Sequence, residues 1–184
     1  MKDIDEQIEK MTESIKDKAS PKEIKMQKEA LEKILKEGMS VHEAVGVSKE
    51  SLEFMYSHGY SLYKVGKYDD AIQIFHILNF LDGNDLRFCY GLAACHHMKK
   101  EYNEAMVLYL ICQTQDRHNP GLMWHIADCY KGMGKKMNAY LCLKLCSRYA
   151  DEDKKYESLK IRADGEAKML EKELDEEFQK TVKK

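Results

Sequence analysis

The strongest constraint on this chain is an internal period of 34 residues, held without a gap through residues 52–85, 86–119 and 120–153. Each copy carries a small residue at its eighth position, namely Gly59, Ala93 and Ala127. Alanine recurs at the twentieth position as Ala71, Ala105 and Ala139, and a large apolar residue follows four later as Phe75, Tyr109 and Leu143. The twenty-seventh position carries Leu78, Cys112 and Cys146. Between the two halves of each copy sits a turn position, Gly66, Lys100 or Gly134, followed two residues on by Tyr68, Tyr102 or Lys136. A period of this length implies a repeated supersecondary unit that cannot bury its apolar face alone and therefore stacks on its neighbours. Small residues at fixed positions mark where two helices of one unit touch.

Composition supports helices. Only 2 Pro and 10 Gly interrupt 184 residues, while hydrophobic residues reach 43% and charged ones 34%. Scarce breakers in a chain rich in Lys, Glu, Leu and Met favour helix over strand. The net charge of −2 leaves no basic excess to bind nucleic acid. No apolar run approaches the length of a membrane span, and the polar start MKDIDEQIEK argues against a secretory signal.

The spacing resembles the tetratricopeptide-repeat (TPR) consensus. The matching strings are YSHGYSLYKVGKYDDAIQIF, YGLAACHHMKKEYNEAMVLY and WHIADCYKGMGKKMNAYLCL. The fold expected is all-α, a TPR α-solenoid of three helix-turn-helix repeats with flanking N- and C-terminal helices. The third copy departs most, with Lys136 and Leu143 where aromatic residues are expected. Looser packing of its second helix is predicted.

Around the repeats the chain divides into a polar, flexible or weakly helical segment at 1–21 and an N-terminal helical region at 22–51. Within 22–37 lies an amphipathic helix with Ile24, Ala30, Leu31, Ile34 and Leu35 on one side. Ser20 caps it, Pro21 opens it and Gly38 ends it. Residues 154–184 carry Leu159, Ile161, Met169, Leu170, Leu174 and Phe178 among many charges. They read as a charged helical extension, either a solvated cap or a frayed helix.

Two features bear on function. Tyr56, Tyr60 and Tyr63 share one face of the first helix of repeat 1, apart from Met55, Gly59 and Leu62, which pack into the unit. The same positions are Tyr90, Ala94 and His97 in repeat 2, and Trp124, Asp128 and Lys131 in repeat 3. This face either lines a peptide groove or covers neighbouring helices. Because other residues already occupy the packing face, the groove is the favoured reading, and an aromatic groove suits an extended peptide with Leu or Pro side chains. Tyr56 and Tyr60 stand where carboxylate-clamping TPR domains use Lys and Asn. The second feature is the cysteines. All six lie between Cys89 and Cys146 with no Cys-x-x-Cys pair, so they read as small buried hydrophobes in a reducing compartment. Cys142, Cys146, His96 and His97 do not have the spacing of a four-ligand zinc site, and no phosphate loop or nucleophile motif is present. No enzyme activity, metal or cofactor is expected.

Residues 22–150 as a whole resemble the class II chaperones of type III secretion, the LcrH/SycD-like chaperones of translocators. The most specific stretches are Leu52 to Leu81 and the strings YGLAACHH and NPGLMWHIADCY. The resemblance implies a protein of the bacterial cytoplasm that holds hydrophobic pore-forming translocators before export. It implies a client segment lying extended in the concave groove, against Tyr56, Tyr60, Tyr63, Tyr68, Phe75, Leu81, Tyr90 and Tyr109. Helix geometry adds His97 and Trp124. The resemblance also implies a homodimer formed through the N-terminal helical region, where Leu31, Ile34 and Leu35 are the candidate contacts. Direct membrane insertion and nucleic-acid binding are not expected. A general TPR adaptor of another complex shares the fold and differs only in client; a partner of a transcription factor is the next alternative.

Overall fold

A computed structural model describes residues 2–182. Its helices run α1 (Lys2–Glu13), α2 (Pro21–Glu37), α3 (Val41–Val45), α4 (Lys49–Lys64), α5 (Tyr68–Leu81), α6 (Leu86–Met98), α7 (Tyr102–Gln115), α8 (Pro120–Gly132), α9 (Lys136–Ala150) and α10 (Glu157–Val182). No strand is present among the described residues. Each helix of the repeats packs on the next in chain order, and α10 continues the series on α9.

The helix boundaries follow from local chemistry. Ser20 accepts from the Glu23 backbone N–H and Glu23 reaches back to the Ser20 N–H, which forms a capping box ahead of Pro21. Ser48 caps α4, Asp85 caps α6 and Asn119 caps α8. The turn within each repeat needs a left-handed residue. Gly66 and Gly134 supply it without strain, and Lys100 is forced into it at φ 63°.

The repeat positions become the core. Ala71, Ala105 and Ala139 are fully buried, as are Leu78, Cys112 and Cys146 at the twenty-seventh position. One cluster joins Leu52, Phe75, Leu78, Phe88, Leu92 and Cys95 of α4 to α6. A second runs from Cys89 in α6 to Leu170 in α10.

Two expectations are resolved by packing. Of the loose and helical readings of the N-terminal segment, the helical one holds over α1, because Ile4, Ile8 and Thr12 fall four residues apart and form a stripe toward the interior. Ile8 is 1% exposed, the Thr12 hydroxyl is satisfied by the Ile8 carbonyl at 2.9 Å, and Lys36 of α2 pairs with Asp5 at 2.6 Å. The second helix of repeat 3 is not loosely packed. Leu143 and Cys146 are wholly buried, because α10 lays Ala163, Ala167 and Leu170 into the same cluster. The C-terminal extension is therefore a seated cap. Its charges meet the repeat: Lys136 pairs with Glu173 at 2.8 Å and Glu177 at 2.7 Å, and the Tyr140 hydroxyl donates to Glu171.

Candidate functional site: an aromatic groove across the repeats

The first helices of the three repeats, α4, α6 and α8, line a cavity of about 550 Å³ whose floor comes from α5 and α7. That volume lies in the range of ordinary ligand pockets. Seven of the residues expected to line a groove are brought together there: Tyr56, Tyr60, Tyr63, Phe75, Tyr90, His97 and Tyr109. They arise on two or more helices because the repeat places equivalent positions side by side.

The rings form a continuous wall. Tyr56 stacks on Tyr60, and Tyr60 on Tyr63, each at 6.4 Å between centroids. Tyr56 meets Phe75 edge-on at 6.0 Å. Tyr60 remains 49% exposed, with the Lys64 ammonium 5.8 Å from its ring centroid, so the wall presents ring surface to solvent. Phe75 itself lies against the backbone of Gly91. A Cβ there would sit 2.6 Å from the ring, so a glycine is required for the close approach.

Three expected residues lie outside the cavity lining. Tyr68 stands behind Tyr63 at 5.7 Å between centroids and supports it. Leu81 packs beside the core of repeats 1 and 2. Trp124 is only 9% exposed and is covered by two cations, the Arg162 guanidinium at 4.5 Å and the Lys131 ammonium at 5.5 Å from its ring. Sequence reasoning missed Arg87 and His125. His125 is next in sequence to Trp124 and takes the groove-facing place. It stacks on Tyr109 at 5.1 Å and 13°, and its Nε2 is hydrogen-bonded to the Tyr90 hydroxyl at 2.7 Å. In register His125 matches Gly91 of repeat 2, another lining residue, a shared role that only the structure reveals.

The electrostatics are those of a neutral apolar groove with polar ends. Burial lowers the pKa of His97 and His125, so both imidazoles are neutral at neutral pH. Burial raises the pKa values of Tyr63, Tyr90 and Tyr109, which keeps their hydroxyls protonated. At one end Arg87 is held by Asp85 and Glu53, with its guanidinium 5.0 Å from the Tyr56 ring centroid. Near the other end lie Asp116 and Asp128. Five of the six thiols have raised pKa values, while a hydrogen bond with Cys112 lowers that of Cys89. Burial pushes Cys95 and Cys129 up to about 11 and Cys146 to about 12, far above the range of a thiolate nucleophile. No group of His, Cys, Asp and Glu among the described residues is placed to hold a metal.

The candidate dimer residues lie on α2. Leu31 and Ile34 are half-buried and Leu35 is 40% exposed. Met11 on α1 and Met26 on α2 are also exposed.

Comparison with known proteins agrees with this architecture. The tetratricopeptide-repeat family profile matches residues 52–85 and 87–113. Low calcium response locus protein H of Yersinia pestis is 31% identical over 150 residues, which is 80% of this chain and 89% of that protein. The type III secretion translocator chaperone SycD of Yersinia enterocolitica superposes with a TM-score of 0.65 at 30% identity, over 73% of this chain and 98% of SycD. PcrH of Pseudomonas aeruginosa, in complex with the chaperone binding region of PopD, superposes with a TM-score of 0.66 at 30% identity, over 70% of this chain and 96% of PcrH. A tandem TPR array at this period, with an aromatic concave wall and relatives at this identity, places the chain: it belongs to the family of class II type III secretion chaperones of translocators.

Proposed function

We propose that this protein is a bacterial cytoplasmic chaperone that holds an extended segment of a hydrophobic translocator in the groove of α4, α6 and α8, and so prevents aggregation or premature association before export. The observation that carries this is the wall of Tyr56, Tyr60 and Tyr63, stacked ring on ring with Tyr60 still 49% exposed. Among the relatives, PcrH is seen with the chaperone binding regions of PopB and PopD, and SycD with a peptide of YopD. An exposed aromatic wall gives a client's Leu and Pro side chains apolar area, while neutral hydroxyls and imidazoles can meet its backbone. Ordering a flexible segment offsets part of that gain, which keeps the affinity moderate and the complex releasable. The machinery is one of binding, and no catalytic step is assigned. No described helix is long and apolar enough to cross a membrane.

The test is direct titration with a fluorescently labelled, Pro- and Leu-bearing translocator segment. Binding that is lost in Tyr60→Ala/Tyr63→Ala, while the helical signal is retained, supports the groove. Equal binding by both proteins would move the client elsewhere. We further propose that the N-terminal helical region 22–51 forms a homodimer contact through Leu31, Ile34 and Leu35 of α2.

A further inference from the structure

Repeat 3 gives the groove Leu122, His125 and Asp128 but not Trp124 or Lys131, and the reason lies in α10. The three groove-facing positions of the first helix are Tyr56, Tyr60 and Tyr63 in repeat 1 and Tyr90, Ala94 and His97 in repeat 2, and all of them line the cavity. In repeat 3 they are Trp124, Asp128 and Lys131, of which only Asp128 reaches the lining. The other two are engaged by α10. The Arg162 guanidinium lies 4.5 Å from the Trp124 ring centroid, and Lys131 pairs with Glu166 while also holding Asp128 at 2.6 Å. Arg87 does something similar to Tyr56, but Tyr56 stays half-buried and still lines the groove. Trp124 is 9% exposed.

We infer that Arg162 and Glu166 of α10 form a fixed stop that closes the groove at repeat 3 and limits the length of client segment the chaperone takes. The inference rests on the groove reading above. The stop is fixed because α10 is anchored elsewhere: Ala163, Ala167 and Leu170 are buried in the core that α9 shares, so a client would have to break apolar packing to dislodge it. Arg162 itself is exposed, so removing its head uncovers the part of the Trp124 ring it lies against without unseating the helix. A cation on an aromatic face also makes that face a poor site for an apolar side chain, because binding there would separate the pair. Arg162 and Glu166 act here as specificity-determining residues at the end of the groove.

Trp124 is the sole tryptophan of the chain, so its emission reports on this site alone. The experiment uses the full chain, as wild type and as Arg162→Ala/Glu166→Ala, with thermal unfolding recorded for both. The probes are labelled Pro- and Leu-bearing peptides of about six, nine and twelve residues, which span roughly 20 to 40 Å when extended. In wild type, affinity should stop rising before the longest peptide, and Trp124 emission and its acrylamide quenching should be unchanged at saturation. In the variant, the longest peptide should gain affinity several-fold and should protect Trp124 from acrylamide. An identical length dependence in both proteins, or a Trp124 response in wild type, overturns the stop while leaving the groove intact. If no peptide binds more tightly to wild type than to Tyr60→Ala/Tyr63→Ala, the groove reading fails and the stop fails with it.

Discussion

The hydroxyl of Tyr90 lies 2.7 Å from Nε2 of His125, and the two residues join α6 of repeat 2 to α8 of repeat 3 within the groove. His97 stands 5.9 Å from His125, nearly perpendicular to it, and its Nδ1 is 3.5 Å from the Tyr109 hydroxyl. Two imidazoles and two phenols thus share one neutral network, with Tyr109 buried and Tyr90 still 38% exposed.

That network makes the protein sensitive to acid. Burial depresses both histidine pKa values below the reference 6.5, and His97 and Lys131 add to this while Asp128 opposes it. The unfolded chain then binds protons that the folded one refuses, so the histidine contribution to stability is complete above the unfolded pKa and is lost as pH falls through it. Thermal unfolding and groove affinity should both decline between about pH 7.5 and 5.5. His97→Phe/His125→Phe should flatten that dependence. A variant with the wild-type pH profile would locate the titrating group elsewhere.

Gly91 tests the groove's construction. A methyl group there would meet the Phe75 ring at 2.6 Å, whereas one at Gly165, on the outer face of α10, meets nothing within 4 Å. Gly91→Ala should destabilise by roughly 1–3 kcal/mol, the usual cost of overpacking. Gly165→Ala should stabilise by about 0.5–1 kcal/mol, because helical glycine carries extra chain entropy in the unfolded state. Chemical denaturation of the two variants measures both, and equal effects would contradict the packing described.

Lys100 is the non-glycine residue with positive φ among those described, at a turn where the other repeats use Gly66 and Gly134. The left-handed conformation costs a side-chain-bearing residue about 1–2 kcal/mol. Part of that is offset by the entropy a glycine loses on folding, so Lys100→Gly should stabilise by roughly 0.5–1 kcal/mol. The same denaturation experiment checks it.

The dimer proposal predicts a change of mass. Leu35 and Met26 are exposed apolar residues on α2, 40% and 60% accessible. Leu31→Asp/Leu35→Asp should shift sedimentation from dimer toward monomer while leaving the repeat helices and peptide binding in place. A wild-type chain that sediments as a monomer at all concentrations would remove the dimer from the account.

Much of this was legible in the sequence because a repeat reports its own geometry. The small eighth position, the alanine at the twentieth and the apolar twenty-seventh fell in the core as the period required. The cap at Ser20 was readable because it precedes Pro21 and an apolar helical pattern. The misreadings came where the repeat stops giving information. Trp124 holds a groove position by register, but α10, which has no counterpart in the period, covers it. His125 enters the groove in its place, and no spacing rule distinguishes it from its neighbour. In α1 the stripe of Ile4, Ile8 and Thr12 is too sparse to stand out against its charges, and packing on α2 supplies what local propensity lacks.

The most direct test of the central claim is co-expression of the tagged full chain with the hydrophobic translocator of its own secretion system, followed by measurement of the soluble, co-purifying translocator. The account predicts that wild type keeps the translocator soluble and bound, and that Tyr60→Ala/Tyr63→Ala, folded to the same helical content, loses it to the pellet. A translocator that is insoluble with wild type, or equally soluble with the variant, would contradict the account.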